Sequence, residues 1–153
     1  MARRNIALVA HDSRKKELLT WVRFNLGILK EHNLFATGTT GKLIEQLETE
    51  AGDKPLCGRV TRLLSGPTGG DQQIGAMIAE GRIDVLIFFC DNLIAQGHQT
   101  DVSALTRLAS LYNIAFAENR TTADMLVTSP LFTDDEYEFK KPDFSAYLNR
   151  VIK

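Results

Sequence analysis

Five short apolar runs punctuate the chain, and after each comes a polar turn and then an apolar stripe at helical spacing. The first run, Ile6-Ala7-Leu8-Val9-Ala10, is apolar without alternation, the pattern of a strand covered on both faces. Behind it Leu18, Leu19, Val22, Leu26 and Leu29 keep one side apolar and predict a helix over residues 13–30. A second strand at 34–36 leads into a helix carried by Leu43, Ile44 and Leu47, and a third at 60–64 into one carried by Ile74, Met77 and Ile78, which Gly81 ends. Residues 85–90 are the most apolar of all, which predicts the strand central in the sheet. Val102, Leu105, Leu108 and Tyr112 then predict a helix capped by Asp101. A fifth strand at 114–117 precedes a short helix through Met125, Leu126 and Val127 that Thr121 or Thr122 would cap. A last helix is predicted from Pro142, using Phe144, Tyr147, Leu148 and Val151. Residues 49–59 read as a connection, and 129–141 carry no clear pattern.

Strand and helix alternate throughout, so the expected architecture is α/β: a single-domain, doubly wound (Rossmann-like) five-stranded parallel sheet with helices on both faces, spanning residues 1–153. Length agrees, since 153 residues with 44% hydrophobic content suffice for one domain with a real core. Charge narrows the partners. The 18 basic and 19 acidic residues leave a net charge of −1 and no polybasic face, which argues against nucleic acid and anionic membrane surfaces. Cys57 and Cys90 form no CxxC and have no matching histidine cluster, so neither a disulfide framework nor a zinc site is expected; both read as small buried hydrophobes in a reducing, cytoplasmic protein. The apolar run behind the basic start is too short for a signal peptide or a membrane span.

Right-handed crossovers put the C-terminal ends of all strands on one edge, where open α/β sheets bind ligands. His11, Asp12 and Lys15 follow the first strand, Thr37-Gly38-Thr39-Thr40-Gly41 the second, Ser65 to Asp71 the third, Asp91 to Asp101 the fourth and Asn119 the fifth. Each cluster is weak alone; their convergence is the signal. Thr37 to Thr40, with Ser65, Gly66 and the Lys15 ammonium, would suit a phosphate monoester. There is no Walker A loop and no GxGxxG. Ser65-Gly66-Pro67-Thr68-Gly69-Gly70-Asp71 ends at a helix start, where a lone Asp is most often an N-cap, but a cap does not call for three glycines just upstream. Asp71, His98 and Asp101 are the acid–base candidates. Asp12 and Asp91 could equally be loop or capping residues that orient neighbours, and spacing does not choose among them.

Ala10-His11-Asp12, Ala36-Thr37-Gly38-Thr39-Thr40-Gly41, Leu64-Ser65-Gly66-Pro67, Gly69-Gly70-Asp71-Gln72-Gln73-Ile74-Gly75 and Asp84-Val85-Leu86-Ile87-Phe88-Phe89 together resemble the methylglyoxal synthase family. The resemblance runs from about Asn5 to Leu126 and implies a lyase that turns dihydroxyacetone phosphate into methylglyoxal and inorganic phosphate without metal or organic cofactor. It implies Asp71 as the catalytic carboxylate, His98 and Asp101 as a further acid–base pair, and His11, Lys15, Thr37, Gly38, Thr39, Thr40, Ser65 and Gly66 as substrate and phosphate contacts. It also implies a homo-oligomer, a hexamer by preference, with phosphate as allosteric inhibitor and Arg107 and Arg150 at subunit contacts. Three departures from the family pattern, Gly97 before His98, Asn92 after Asp91 and Glu118 before Asn119, bear on loop stiffness and rate more than on the reaction. The competing expectation is a non-catalytic phosphate- or nucleotide-sensing module of the same fold; such a module could dispense with Asp71, His98 and Asp101, and all three are present. A nucleotide-biosynthesis enzyme with a related sheet would need a further catalytic domain.

Overall fold

The computed structural model describes residues 1–93 and 99–152, with side chains left out at 99–101. In it the first apolar run forms β1 (Asn5–Ala10), and the chain continues through β2 (Asn33–Thr37), β3 (Val60–Leu63), β4 (Val85–Phe89) and β5 (Ala115–Ala117). All pair in parallel, in the order β3-β2-β1-β4-β5. β1 is central, with Leu8 opposite Ala36 on one side and Ile87 on the other. The central position expected of the fourth run falls to β1; β4 lies between β1 and β5, and every one of its residues is still buried because helices cover both faces there.

Because successive side chains of a strand point to opposite faces, β1 feeds two cores. Ile6, Leu8 and Ala10 pack with Leu18, Trp21 and Val22 of α1 (Lys15–Phe24), Leu26 and Leu29 of α2 (Leu26–Leu29), Ile44 of α3 (Gly38–Glu45) and Ala123 and Val127 of α6 (Arg120–Thr128). Ala7 and Val9 pack with Ile74, Met77 and Ile78 of α4 (Gly70–Ala79) and with Val102, Leu105 and Ala109 of α5 (Gln99–Leu111). Helices therefore cover both faces, as expected for a doubly wound sheet.

Local departures from the sequence reading have physical causes. The helix expected over 13–30 is a 3-10 turn (Asp12–Arg14), then α1, then α2, broken where the Asn25 side-chain amide donates to the Trp21 carbonyl at 2.9 Å. The Thr-Gly run expected to precede a helix is itself the first turn of α3. α6 is capped by Asn119, whose side chain accepts the Thr122 N–H at 3.0 Å, and not by either threonine. The helix expected from Pro142 shrinks to α7 (Ser145–Leu148): Phe144 packs edge-on against Tyr112, but the described residues leave Tyr147, Leu148 and Val151 exposed. Cys90 is buried as expected, whereas Cys57 is exposed. Among the described residues no helix is long and apolar enough to cross a membrane.

Candidate active site at the carboxyl edge of the sheet

The turns after the first three strands meet over a cavity of about 70 Å³. β1 delivers His11, Asp12 and Lys15 to its wall, the start of α3 delivers Thr37, Gly38, Thr39 and Thr40, and the β3–α4 turn delivers Ser65, Gly66 and Asp71. The first N–H groups of an α-helix have no partner within it. In α3 the residues that carry those groups line the cavity, and the N-cap Thr37 makes no side-chain cap bond. Donors and the positive end of the helix dipole thus collect where an anion would sit.

Two glycines let these turns close. Gly38 has φ +41°, and a Cβ there would meet the Ser65 Cα at 2.9 Å, so the α3 and β3–α4 turns touch backbone to backbone. A Cβ on Gly70 would lie 2.0 Å from the Leu64 carbonyl oxygen, an overlap only a large backbone shift relieves. That approach folds the turn so that the Gly70 N–H donates to the Ser65 carbonyl at 2.8 Å and α4 starts under the cavity. Asp71 is the second residue of α4; the N-cap is Gly69, so capping does not explain this carboxylate. It is only 3% exposed, and Gly66 sits against it, a Cβ there falling 3.6 Å from Asp71 Oδ1. A carboxylate buried beside an anion cradle carries a desolvation cost that packing alone does not recover, which makes Asp71 a candidate functional group.

His11 faces it with a defined tautomer. Its Nδ1 accepts the Asp91 N–H at 2.8 Å, and an imidazole nitrogen that accepts a backbone N–H holds a lone pair, which leaves Nε2 to carry the proton. Phe88, also in the cavity wall, packs edge-on against the ring at 5.2 Å between centroids. The site therefore pairs a buried carboxylate with an oriented neutral N–H donor.

Lys15 and Asp12 reach the cavity as an ion pair, Nζ to Oδ1 at 2.8 Å, so the ammonium expected to await a phosphate is shared with a carboxylate. Asp91 lies behind the wall: it accepts from the Ser13 hydroxyl and from the Leu93 N–H and orients His11 through its own N–H. The sequence reading left that orienting role open, and missed Ser13 and Phe88 altogether, a serine in a turn and a strand phenylalanine having no distinguishing pattern. α5 begins at Gln99, so Asp101 is its third residue rather than its cap, and its side chain lies outside the described residues. His98 lies outside them entirely.

A larger cleft, about 230 Å³, opens near the start of β5, between Leu126, Phe132, Tyr137 and Phe139. It is lined mainly by apolar side chains and offers no carboxylate, lysine or histidine, whereas the smaller polar cavity offers all three.

Residues 17–117 match the MGS-like domain family. Over 97% of this chain and 98% of the relative, the sequence is 54% identical to a methylglyoxal synthase of Maridesulfovibrio salexigens. It is 53% identical to one of Proteus mirabilis, over 98% of this chain and 93% of that one. The crystal structure of methylglyoxal synthase from Elizabethkingia anophelis superposes with a TM-score of 0.85 at 46% identity, covering 99% of this chain and 93% of that one. With its family-model match and near-full-length relatives, the chain belongs to the methylglyoxal synthase family.

Proposed function

We propose that this chain forms methylglyoxal by eliminating inorganic phosphate from dihydroxyacetone phosphate, in the cytoplasm. The observation that carries the reading is the buried Asp71 carboxylate lining the same small cavity as the Thr39 and Ser65 turns. Those turns hold the phosphate end, with N–H groups and hydroxyls from α3, Ser65 and Gly66 and the Lys15 ammonium around it. Asp71 removes a proton from the hydroxymethyl carbon next to the ketone. The electron pair moves onto the ketone oxygen, and His11 Nε2–H is the neutral donor that stabilises the enediolate there. The terminal hydroxyl then gives up its proton as its carbon becomes the aldehyde carbonyl, and the double-bond electrons shift toward the phosphate-bearing carbon and expel the phosphate as the bridging C–O bond breaks. Proton uptake at the resulting terminal carbon gives the methyl group, so substrate becomes methylglyoxal plus phosphate with all atoms accounted for. Elimination requires that C–O bond to stand perpendicular to the enediolate plane, and holding it there is the task of the phosphate cradle. His98 and Asp101 act as a further acid–base pair that moves protons between the oxygens. The chemistry needs no metal or organic cofactor.

The functional unit is a homo-oligomer, a hexamer by preference, on which phosphate acts as inhibitor as well as product. What supports this is the exposed apolar tail, Tyr147, Leu148, Val151 and Ile152, ending beside the exposed Arg150, whose guanidinium lies 3.7 Å over the Tyr147 ring, with Arg107 exposed on α5. Light scattering that finds only monomer would remove this part.

The direct test is incubation with dihydroxyacetone phosphate, scoring methylglyoxal and free phosphate. Wild type should release both in equal amounts. Asp71→Asn should lower kcat by roughly 10³-fold or more while still binding phosphate; near-normal turnover would exclude Asp71 as the base.

A further inference from the structure

The 3-10 turn after β1 holds a side chain that does not line the cavity yet is tied to it. Ser13 Oγ donates to Asp91 Oδ2, while Asp91 Oδ1 accepts the Leu93 N–H at 3.0 Å. Asp91 then donates its own N–H to His11 Nδ1 at 2.8 Å. The bonds thus run from the end of β1 to the end of β4 and back. The two strands are neighbours, with Ala10 opposite Phe89 and the His11 N–H donating to the Phe89 carbonyl at 3.2 Å.

Asp91 lies two residues past the end of β4, outside the strand ladder, so its side-chain bonds help to fix its backbone. A carboxylate held through both oxygens by donors from two different segments cannot turn about its Cβ–Cγ bond. Loss of the Ser13 hydroxyl removes the donor that reaches Asp91 Oδ2 from the turn after β1, and so loosens the placement of the Asp91 N–H that holds the plane and tautomer of His11. Ser13 is not using its hydroxyl as a cap for its own turn, whose N-cap position is His11 and which has no side-chain cap bond.

The geometry points to Ser13 as a positioning residue for the elimination: acting through Asp91, it aims His11 Nε2–H at the oxygen on which charge develops. This rests on the reaction proposed above. Because the Thr37–Thr40 and Ser65–Gly66 parts of the phosphate cradle hang on other turns, Ser13 governs the rate of the chemical step more than the grip on substrate.

The experiment compares wild type, Ser13→Ala and Ser13→Thr, measuring kcat and KM with dihydroxyacetone phosphate and the ¹⁵N signals of His11. In Ser13→Ala kcat should fall roughly 3- to 10-fold with KM within about twofold. The His11 signals should shift from one tautomer toward a mixture. Ser13→Thr, which keeps the hydroxyl, should recover most of the rate and the single-tautomer spectrum. Unchanged kcat in Ser13→Ala, a threonine variant no better than alanine, or a rate loss with unaltered His11 signals would each overturn the assignment. A wild-type chain that released no methylglyoxal would remove the reaction instead, and the ¹⁵N spectra would still decide whether Ser13 governs the His11 tautomer.

Discussion

Among the described residues two histidines are buried, one at each end of the sheet, and locally they are near copies. His11 follows β1 at the carboxyl edge, and His32 precedes β2 at the opposite edge. Each accepts a backbone N–H on Nδ1, His11 from Asp91 at 2.8 Å and His32 from Arg4 at 2.9 Å. Each ring packs edge-on against a phenylalanine, Phe88 or Phe132. Both therefore carry their proton on Nε2. What differs is the company of that proton. His11 lines a polar cavity with Asp71, Ser65 and Thr39, while His32 lies outside that cavity, packed against Phe132. Around His32 the polar groups tie chain to chain: Arg4 donates to the carbonyls of Phe132 and Leu131, and Asn33 N–H donates to the Arg4 carbonyl. A buried, tautomer-fixed histidine is thus not a functional signature; what the topology brings opposite it decides.

The most forceful way to break that contrast is to remove both rings. His11→Asn keeps an acceptor near the Nδ1 position and loses the donor, and should lower kcat by about 10²-fold, the usual cost of one donor to a developing oxyanion. His32→Ala leaves the Arg4 N–H without its acceptor and should lower unfolding free energy by about 1–3 kcal/mol with kcat within twofold. Steady-state kinetics and urea unfolding on both variants check this. Equal losses of turnover from the two would show that the ends of the sheet do not divide function from stability.

The same contrast measures what was legible in the sequence. Apolar periodicity revealed all five strands and both faces, because β1 and β4 are covered on each side and hence almost wholly apolar. The order of strands and turns was enough to gather His11, Thr39, Ser65 and Asp71 on one rim. What could not be read were relations set by a few ångströms of tertiary placement: the Lys15–Asp12 pair, the bridge from Ser13 to Asp91, and the tautomer of His11. Nor could pattern locate the start of α5 at Gln99, since Asp101 is an equally good cap by composition. His32 drew no notice because a histidine between a helix and a strand has no pattern at all. The α7 stripe shows the converse limit, an apolar pattern that the described residues leave mostly exposed.

A smaller effect sharpens the comparison through pH. Burial first, then the charges of Arg4 and Arg3, hold His32 below its ordinary value of 6.5, with Glu31 opposing. Below about pH 6.5 the unfolded chain takes up a proton that the folded chain refuses, so the unfolded state binds more protons and stability falls as pH falls. Above that window His32 is neutral in both states and contributes no slope. One group can supply at most about 1.4 kcal/mol per pH unit. Urea midpoints of wild type and His32→Ala between pH 7.5 and 5.5 should converge as pH drops, because the variant lacks this term. Parallel curves would mean that His32 accepts its proton in the fold without penalty.

The smallest test asks how dry the carboxyl edge is, using the two thiols as reporters. Cys90 follows β4 directly and ends the strand beside the site; burial first, then the charges of Glu118 and Asp71, push its thiol up to about 12. Cys57 is exposed in the connection before β3. Thiolate, not thiol, attacks an alkylating reagent, so at pH 8 a buried thiol with so high a value is almost wholly unreactive. Iodoacetamide should therefore add one label to the native chain, at Cys57, and a second only after denaturation, read by peptide mass spectrometry. Labelling of native Cys90 at a rate near that of Cys57 would mean that water reaches the end of β4. An oriented N–H donor loses much of its worth in a wet site, where solvent competes for the developing charge, so that result would weaken His11 as the enediolate partner and leave the two histidines less different than their surroundings make them.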